Sequence, residues 1–232
     1  MASMRDIKRR KASIQSTGQI TKAMKLVSTV KLQKSRQKAE GSKPYFDLMY
    51  ETISSMLKKS GTIDHKYLRA GNTDGKAVIA ITSNRGLAGG YNNNIVKLIA
   101  GNEALTPEKT RVYAIGRKGR DGLAKKGYEI AEDYSEVIDE PAYQDAADLT
   151  KELLAAFGRG EIGEIYLAYT DFKNTVVHEP KLVKLLPIEN DQQANEEKSE
   201  SKAPMNFEPE PEEALSLLIP KYICSMIYGA LV

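Results

Sequence analysis

One cysteine, Cys224, stands in 232 residues. That excludes an internal disulfide framework and suits a reducing compartment. Only two histidines occur, His65 and His178, too far apart in sequence for metal-ligand spacing, so no metal site is expected. No apolar run approaches the roughly 18 residues that a membrane span needs, so no direct span is expected. The opening Met1–Arg10 is basic but has no apolar stretch behind it, which excludes a secretory signal. Residues 1–43 contain no aromatic side chain, so a nucleic-acid arm would lack any base-stacking surface. Proline is scarce at this end too: Pro44 is the first in the chain.

What is present is unevenly distributed. The net charge is +3, yet residues 1–43 hold 12 of the 34 basic side chains and only two acids, Asp6 and Glu40. The arm is therefore +10 and the remaining 189 residues −7. An arm so charged is built to meet an acidic partner. From Ser3 to about Leu57 the composition is helical, with Pro44 the one place where a kink or break is expected. Ile7, Ile14, Ile20, Met24, Val27 and Val30 make a narrow stripe, interrupted by polar Ser16–Gln19. Such a stripe covers one seam and cannot enclose a core, which predicts half of a coiled coil.

The middle of the chain alternates strand and helix. Strands are predicted at Ala77–Thr82, Arg111–Ile115, Glu164–Phe172 and Val176–Leu186, and helices near Asn92–Ala100, Gly119–Lys126 and Tyr143–Phe157. This order predicts a Rossmann-like α/β domain with a partly parallel sheet. The short Asp171–Thr175 connection makes the last two strands an antiparallel hairpin. Residues 189–210 are acidic and nearly free of apolar side chains, so they read as a mobile connection. A last amphipathic helix is expected from Pro211 to Val232. The domain reading is an N-terminal coiled-coil helix over 1–58, an α/β domain over 59–210 and the start of a C-terminal helix over 211–232.

The loop Gly86-Leu-Ala-Gly-Gly90 invites a search for phosphate chemistry. It matches neither G-x-G-x-x-G nor G-x-x-x-x-G-K-[ST]. No lysine is placed to reach a phosphate, and the next strand ends in Ile115-Gly-Arg-Lys118, with no acid for a ribose. Arg85 alone could attract an anion. The glycines read instead as a turn that lets a helix pack closely on the sheet. Gly116-Arg-Lys-Gly-Arg120 reads as a solvated basic loop, and Cys224 as a small core residue rather than a nucleophile. No catalytic residue and no cofactor are expected. The residues by themselves leave two other classes open, a nucleic-acid-binding protein with a basic arm and a small Rossmann-like nucleotide enzyme.

Three segments together resemble one family. "QITKAMKLVSTVKLQKSR", Gln19–Arg36, resembles the amino-terminal helix signature of the gamma subunit of F-type ATP synthases. "TSNRGLAGGYNNNI", Thr82–Ile95, is similar to the family's second signature, in which many members have Cys in place of Ala88. "LLIPKYICSMIYGAL", Leu217–Leu231, resembles the start of its carboxy-terminal helix. The resemblance implies a noncatalytic rotor. Its terminal helices would form an axle inside a ring of alpha and beta subunits, and its α/β domain a foot on the membrane c-ring beside the epsilon subunit. It also implies a peripheral place on the cytoplasmic face of the bacterial plasma membrane. By the same resemblance Lys22, Met24, Lys25, Lys31, Lys34 and Arg85 face the alpha/beta collar, and Tyr222 and Tyr228 the foot or epsilon contact. The family's last helix is longer than the ~33 Å that about 22 residues supply, so a truncated C-terminal helix is expected.

Overall fold

A strand buried on both faces must be apolar at every position. β1, Lys76–Ile81, is apolar after its first residue and buried from Ala77 onward. Ala77, Ile79 and Ile81 point into one apolar layer, and Val78 and Ala80 into the other. The strand lies at the centre of a five-stranded sheet of order β3-β2-β1-β4-β5. β2, Thr110–Ile115, and β4, Glu164–Phe172, flank it in parallel register. β3, Glu129–Asp133, adds in parallel beyond β2, and β5, His178–Leu186, pairs antiparallel with β4.

These positions come from a computed structural model that describes residues 3–59, 65–69, 71, 73–188 and 210–232. The acidic connection expected at 189–210 lies, but for Glu210, outside the described residues. The chain divides into two units, an arm of residues up to Pro44 together with Val232, and a body, Tyr45–Leu231. α1 runs Met4–Lys59 with Pro44 inside it, so the proline does not end the helix. Pro44 is exposed, and water there can satisfy the carbonyl whose hydrogen bond the missing N–H forfeits.

In the body, Met49, Ile53 and Met56 of α1 recur at helical spacing and enter the core. They share that layer with α4, Tyr143–Gly158, and α5, Pro211–Leu231. α2, Tyr91–Ala100, and α3, Arg117–Ala124, cover the opposite face through Ile95, Val96, Ile99 and Leu123. Ile79, Ile165 and Leu167 are completely buried, each a contribution of about 1.5–3 kcal/mol. By length and mean hydropathy α5 passes as a membrane span over Glu212–Leu231, which a count of unbroken apolar runs does not reveal. Its Leu215, Ile219, Ile223 and Ile227, spaced every four residues, are buried in the core layer, the stripe of a packed core helix.

Three elements differ from the sequence reading. β3 is not expected from sequence, because Glu-Ile-Ala-Glu-Asp is a short edge strand with acids at both ends. Residues 117–120 are not a solvated loop but the first turns of α3, with Gly119 buried. β5 begins at His178 rather than Val176, because Asn174 Oδ1 accepts the N–H groups of Val176 and Val177, both at 2.9 Å, and holds them in the turn.

Candidate functional site

The loop after β1 is built from the inside out. Thr82 is fully buried, and its hydroxyl donates to the Gly116 carbonyl at 3.1 Å while accepting the Gly119 N–H at 2.8 Å. The Ser83 N–H donates to Asn92 Oδ1 at 2.8 Å, tying the loop to the first turn of α2. Asn84 bridges two further segments: its amide donates to the Ser135 carbonyl at 2.8 Å and its Oδ1 accepts the Arg117 N–H at 3.1 Å. Beyond Asn84 the loop turns outward. Arg85 is exposed, and Leu87 is 99% exposed at φ 63°. A leucine in the left-handed region is uncommon, and this one gives its side chain wholly to solvent.

Two of the loop's three glycines do not play the part the sequence suggested. A Cβ at Gly86 or Gly89 would meet open space, so neither permits a close approach of helix to sheet. Gly89, at φ +57°, serves the turn itself. The close approach occurs one crossover later. A Cβ at Gly116 would lie 2.1 Å from the Thr82 carbonyl oxygen, and at Gly119 2.7 Å from Thr82 Oγ1. The sequence shows Gly116 and Gly119 themselves, but their partner Thr82 is 34 and 37 residues away and only the sheet register brings it near.

This arrangement answers the phosphate question in chemical terms. The amino end of α3 sits at the carboxyl edge of a parallel sheet, where open α/β folds bind ligands, and its free N–H groups are what would hold an anion. Here protein oxygens occupy them. Arg117 N–H goes to Asn84 Oδ1 at 3.1 Å, Lys118 N–H to the Ser83 carbonyl at 3.1 Å, and Gly119 N–H to Thr82 Oγ1 at 2.8 Å. The segment Thr82–Asn84 thus caps α3 as a bound anion would. A surface cavity of about 380 Å³ beside it is lined by Arg117, Arg120, Asp133 and Ser135 among others. Arg120 is held by Asp121 at 2.8 Å and Asp133 at 2.6 Å. Burial alone would raise the Asp133 carboxyl, but hydrogen bonds from Ser135 and Arg120 outweigh it and hold the group below its ordinary value.

The arm is a separate surface. Lys22, Lys25, Lys31 and Lys34 are exposed, and Met24 is 54% exposed. Thr17, Thr21 and Thr29 donate their hydroxyls to carbonyls four residues back, at 2.9, 2.9 and 2.8 Å. Those polar atoms therefore need no external partner, and Thr17 and Thr21 line a shallow surface groove with Ile14 and Gly18. Arg36 and Glu40 form an exposed i,i+4 pair at 2.7 Å, of a kind worth about 0–0.5 kcal/mol.

The remaining candidates lie in the body. Tyr222 is half-buried, its ring 6.1 Å from that of Tyr50, and burial together with Tyr50 and Tyr169 pushes its phenol up to about 12. Tyr228 meets Tyr143 edge-on at 5.7 Å. Cys224 is buried, and burial pushes its thiol up against hydrogen bonds from Tyr143 and Thr150. His65 Nε2 lies 2.8 Å from Ser216 Oγ, and the His178 ring stacks on Phe172 at 5.7 Å. Among the described residues no group of three or more His, Cys, Asp or Glu is placed to hold a metal.

Comparison with known proteins adds an independent line. A family model described as ATP synthase matches residues 3–232. The ATP synthase gamma chain of Lachnoclostridium phytofermentans is 62% identical over all of this chain and 81% of its own length. That of Alkaliphilus metalliredigens is 42% identical over 99% of this chain and 80% of its own. In fold, the body and arm resemble a chain of the Tetrahymena thermophila mitochondrial ATP synthase central stalk and c-ring, with a TM-score of 0.62 at 22% identity and 91% of each chain covered.

Proposed function

The chain belongs to the ATP synthase gamma family, and we propose that its basic arm is the part that turns against the collar of alpha and beta subunits. As a member of that family it is a noncatalytic rotor subunit of the central stalk, coupling ion flow to ATP synthesis within a membrane-associated complex. Its partners are the alpha and beta subunits and the c-ring. The nucleotide-enzyme and nucleic-acid readings give way to this one.

The observation that carries the proposal is the chemistry of the arm. Its surface holds 12 basic side chains against two acids, an exposed apolar seam, and threonine hydroxyls already bonded to their own helix. A long-range positive potential attracts an acidic collar without one fixed pairing. Each exposed ion pair is worth only about 0–1 kcal/mol, so no single contact locks the rotor at one angle. We assign Lys22, Met24, Lys25, Lys31, Lys34 and Arg85 to the collar. The outward Leu87 supports the same role for the loop tip, since it packs against nothing of its own. The epsilon contact we assign to α5 around Tyr222 and Tyr228, on the sides those half-buried rings leave exposed.

In this scheme residues 1–58 are the amino-terminal coiled-coil helix, 59–210 the foot and 211–232 the start of the carboxy-terminal helix. The complex lies on the cytoplasmic face of the plasma membrane. Reconstitution with alpha and beta subunits tests the arm directly. Replacing Lys22, Lys25, Lys31 and Lys34 by Glu is expected to weaken assembly most at low salt and to leave the melting of the body unchanged. Equal assembly by both forms at low salt would refute the arm's role.

A further inference from the structure

Among the described residues Leu87 is the one non-glycine with positive φ, at 63°. Its side chain is 99% exposed, so no packing within the chain compensates a backbone conformation that leucine rarely adopts. Glycine stands beside it at Gly86 and again at Gly89 and Gly90, and at position 87 a glycine would take this conformation without steric cost. Strain of this kind persists only where surrounding contacts over-determine it, and working surfaces are its usual place. Here most of those contacts come from one side chain.

Asn92, half-buried in the first turn of α2, reaches the loop on both sides of Asn84. Its Oδ1 accepts the Ser83 N–H at 2.8 Å, and its Nδ2 donates to the Arg85 carbonyl at 3.3 Å. The two ends of the amide cannot be exchanged, because one faces a donor and the other an acceptor. The Ser83 hydroxyl closes the clasp, 2.7 Å from the Arg85 carbonyl and 3.0 Å from Asn92 Oδ1. Beyond the tip, the Tyr91 N–H donates to the Ala88 carbonyl at 3.2 Å. Only Gly86 and Leu87 lie between these anchors. Three glycines in the five residues 86–90 would otherwise let the segment sample many conformations, and the anchors hold its apolar tip in one.

We infer that Asn92 is a positioning residue of the rotor: it touches no partner itself, and its clasp on Ser83 and Arg85 presents Leu87, already ordered, to the collar. The inference rests on the reading that the loop tip meets the alpha and beta subunits. A tip ordered in advance does not have to lose its conformational freedom at each encounter. That matters to a part that makes and breaks contacts as it turns. The charge of the arm attracts at long range, whereas the clasped leucine fixes where one contact falls.

A photoreactive maleimide on Leu87→Cys, with the buried Cys224 left in place, tests this in the complex assembled with alpha and beta subunits. With Asn92 intact, links are expected on one short segment of the collar. Asn92→Ala is expected to cut the yield on that segment about tenfold, as the loss of two hydrogen bonds allows. It should lower the melting temperature of the chain by no more than about 4 °C. Asn92→Asp is expected to cut the yield as well, because a carboxylate cannot donate to the Arg85 carbonyl. An unchanged yield in either variant, or a larger fall in melting temperature that made Asn92 structural, would overturn this inference alone. No link from position 87 to either subunit of the assembled complex would overturn the assignment of the loop tip to the collar and this inference together.

Discussion

Gly116→Ala is the sharpest test of how the body is held together. Two costs arise at one atom. Gly116 has φ +113°, a backbone region that a side chain enters at about 1–3 kcal/mol. The new Cβ would also lie 2.1 Å from the Thr82 carbonyl oxygen, where ~3.0 Å is the closest approach real atoms tolerate, so that carbonyl must retreat by about 0.9 Å. Thr82 cannot give way freely, because its hydroxyl bonds Gly116 and Gly119 and its N–H bonds the Ile115 carbonyl at 2.8 Å. Overpacking of this kind costs about 1–3 kcal/mol, and each disturbed hydrogen bond about 1 kcal/mol more. With one hydrogen bond disturbed the sum is ~3–7 kcal/mol, against a total stability of about 5–15 kcal/mol for a domain. Urea unfolding followed by circular dichroism is expected to show the midpoint falling steeply with the slope unchanged. Gly86→Ala is the control: it sits in the signature loop, meets open space and has no positive φ, so its expected change is within about 0.5 kcal/mol. A loss below ~1 kcal/mol for Gly116→Ala, or an equal loss for Gly86→Ala, would refute the account of which glycines set the packing.

Three further outcomes follow from the same contacts. Asn84→Ala removes the two hydrogen bonds that join the loop to α3 and to Ser135, and is expected to lower stability by about 1–2 kcal/mol in the same urea assay. Burial alone would raise the Glu164 carboxyl, but hydrogen bonds from Lys184, Lys76 and Tyr166 outweigh it and hold the group at about 2 rather than 4.5. A depressed folded pKa means stability that is present above pH 4.5 and lost as pH falls through about 2. Glu164→Gln should therefore flatten the stability profile in that window, and parallel profiles for the two proteins would count against the bridge. Cys224, buried and with its thiol pushed up, is expected to resist thiol reagents in the folded chain and react fully in denaturant; rapid labelling at neutral pH without denaturant would contradict its core placement.

Much of this molecule is written locally. The apolar run Ala77–Ile81 marks a strand buried on both faces, because each residue type there is apolar and no polar face is left to show. The amphipathic spacing of Tyr143–Gly158 marks a core helix for a different reason: Leu149, Leu153 and Ala156 recur on one face while charged residues take the other. The charge asymmetry of residues 1–43 and the three signature segments are also local, so the arm and the family were legible before any coordinate. β3 was not, since an edge strand is stabilised by its partner more than by its own five residues.

The sequence by itself determined the α/β alternation, the polarity of the arm and the absence of a phosphate-binding motif after β1, all properties of neighbours along the chain. Only the tertiary structure decided which glycines matter and what caps α3. Each of those depends on atoms that the parallel register of β1 and β2 brings together from Thr82 and Gly116. Hydrogen bonds and steric contacts act over a few ångströms in space, whatever the distance along the chain, and no local pattern of residue types records that proximity.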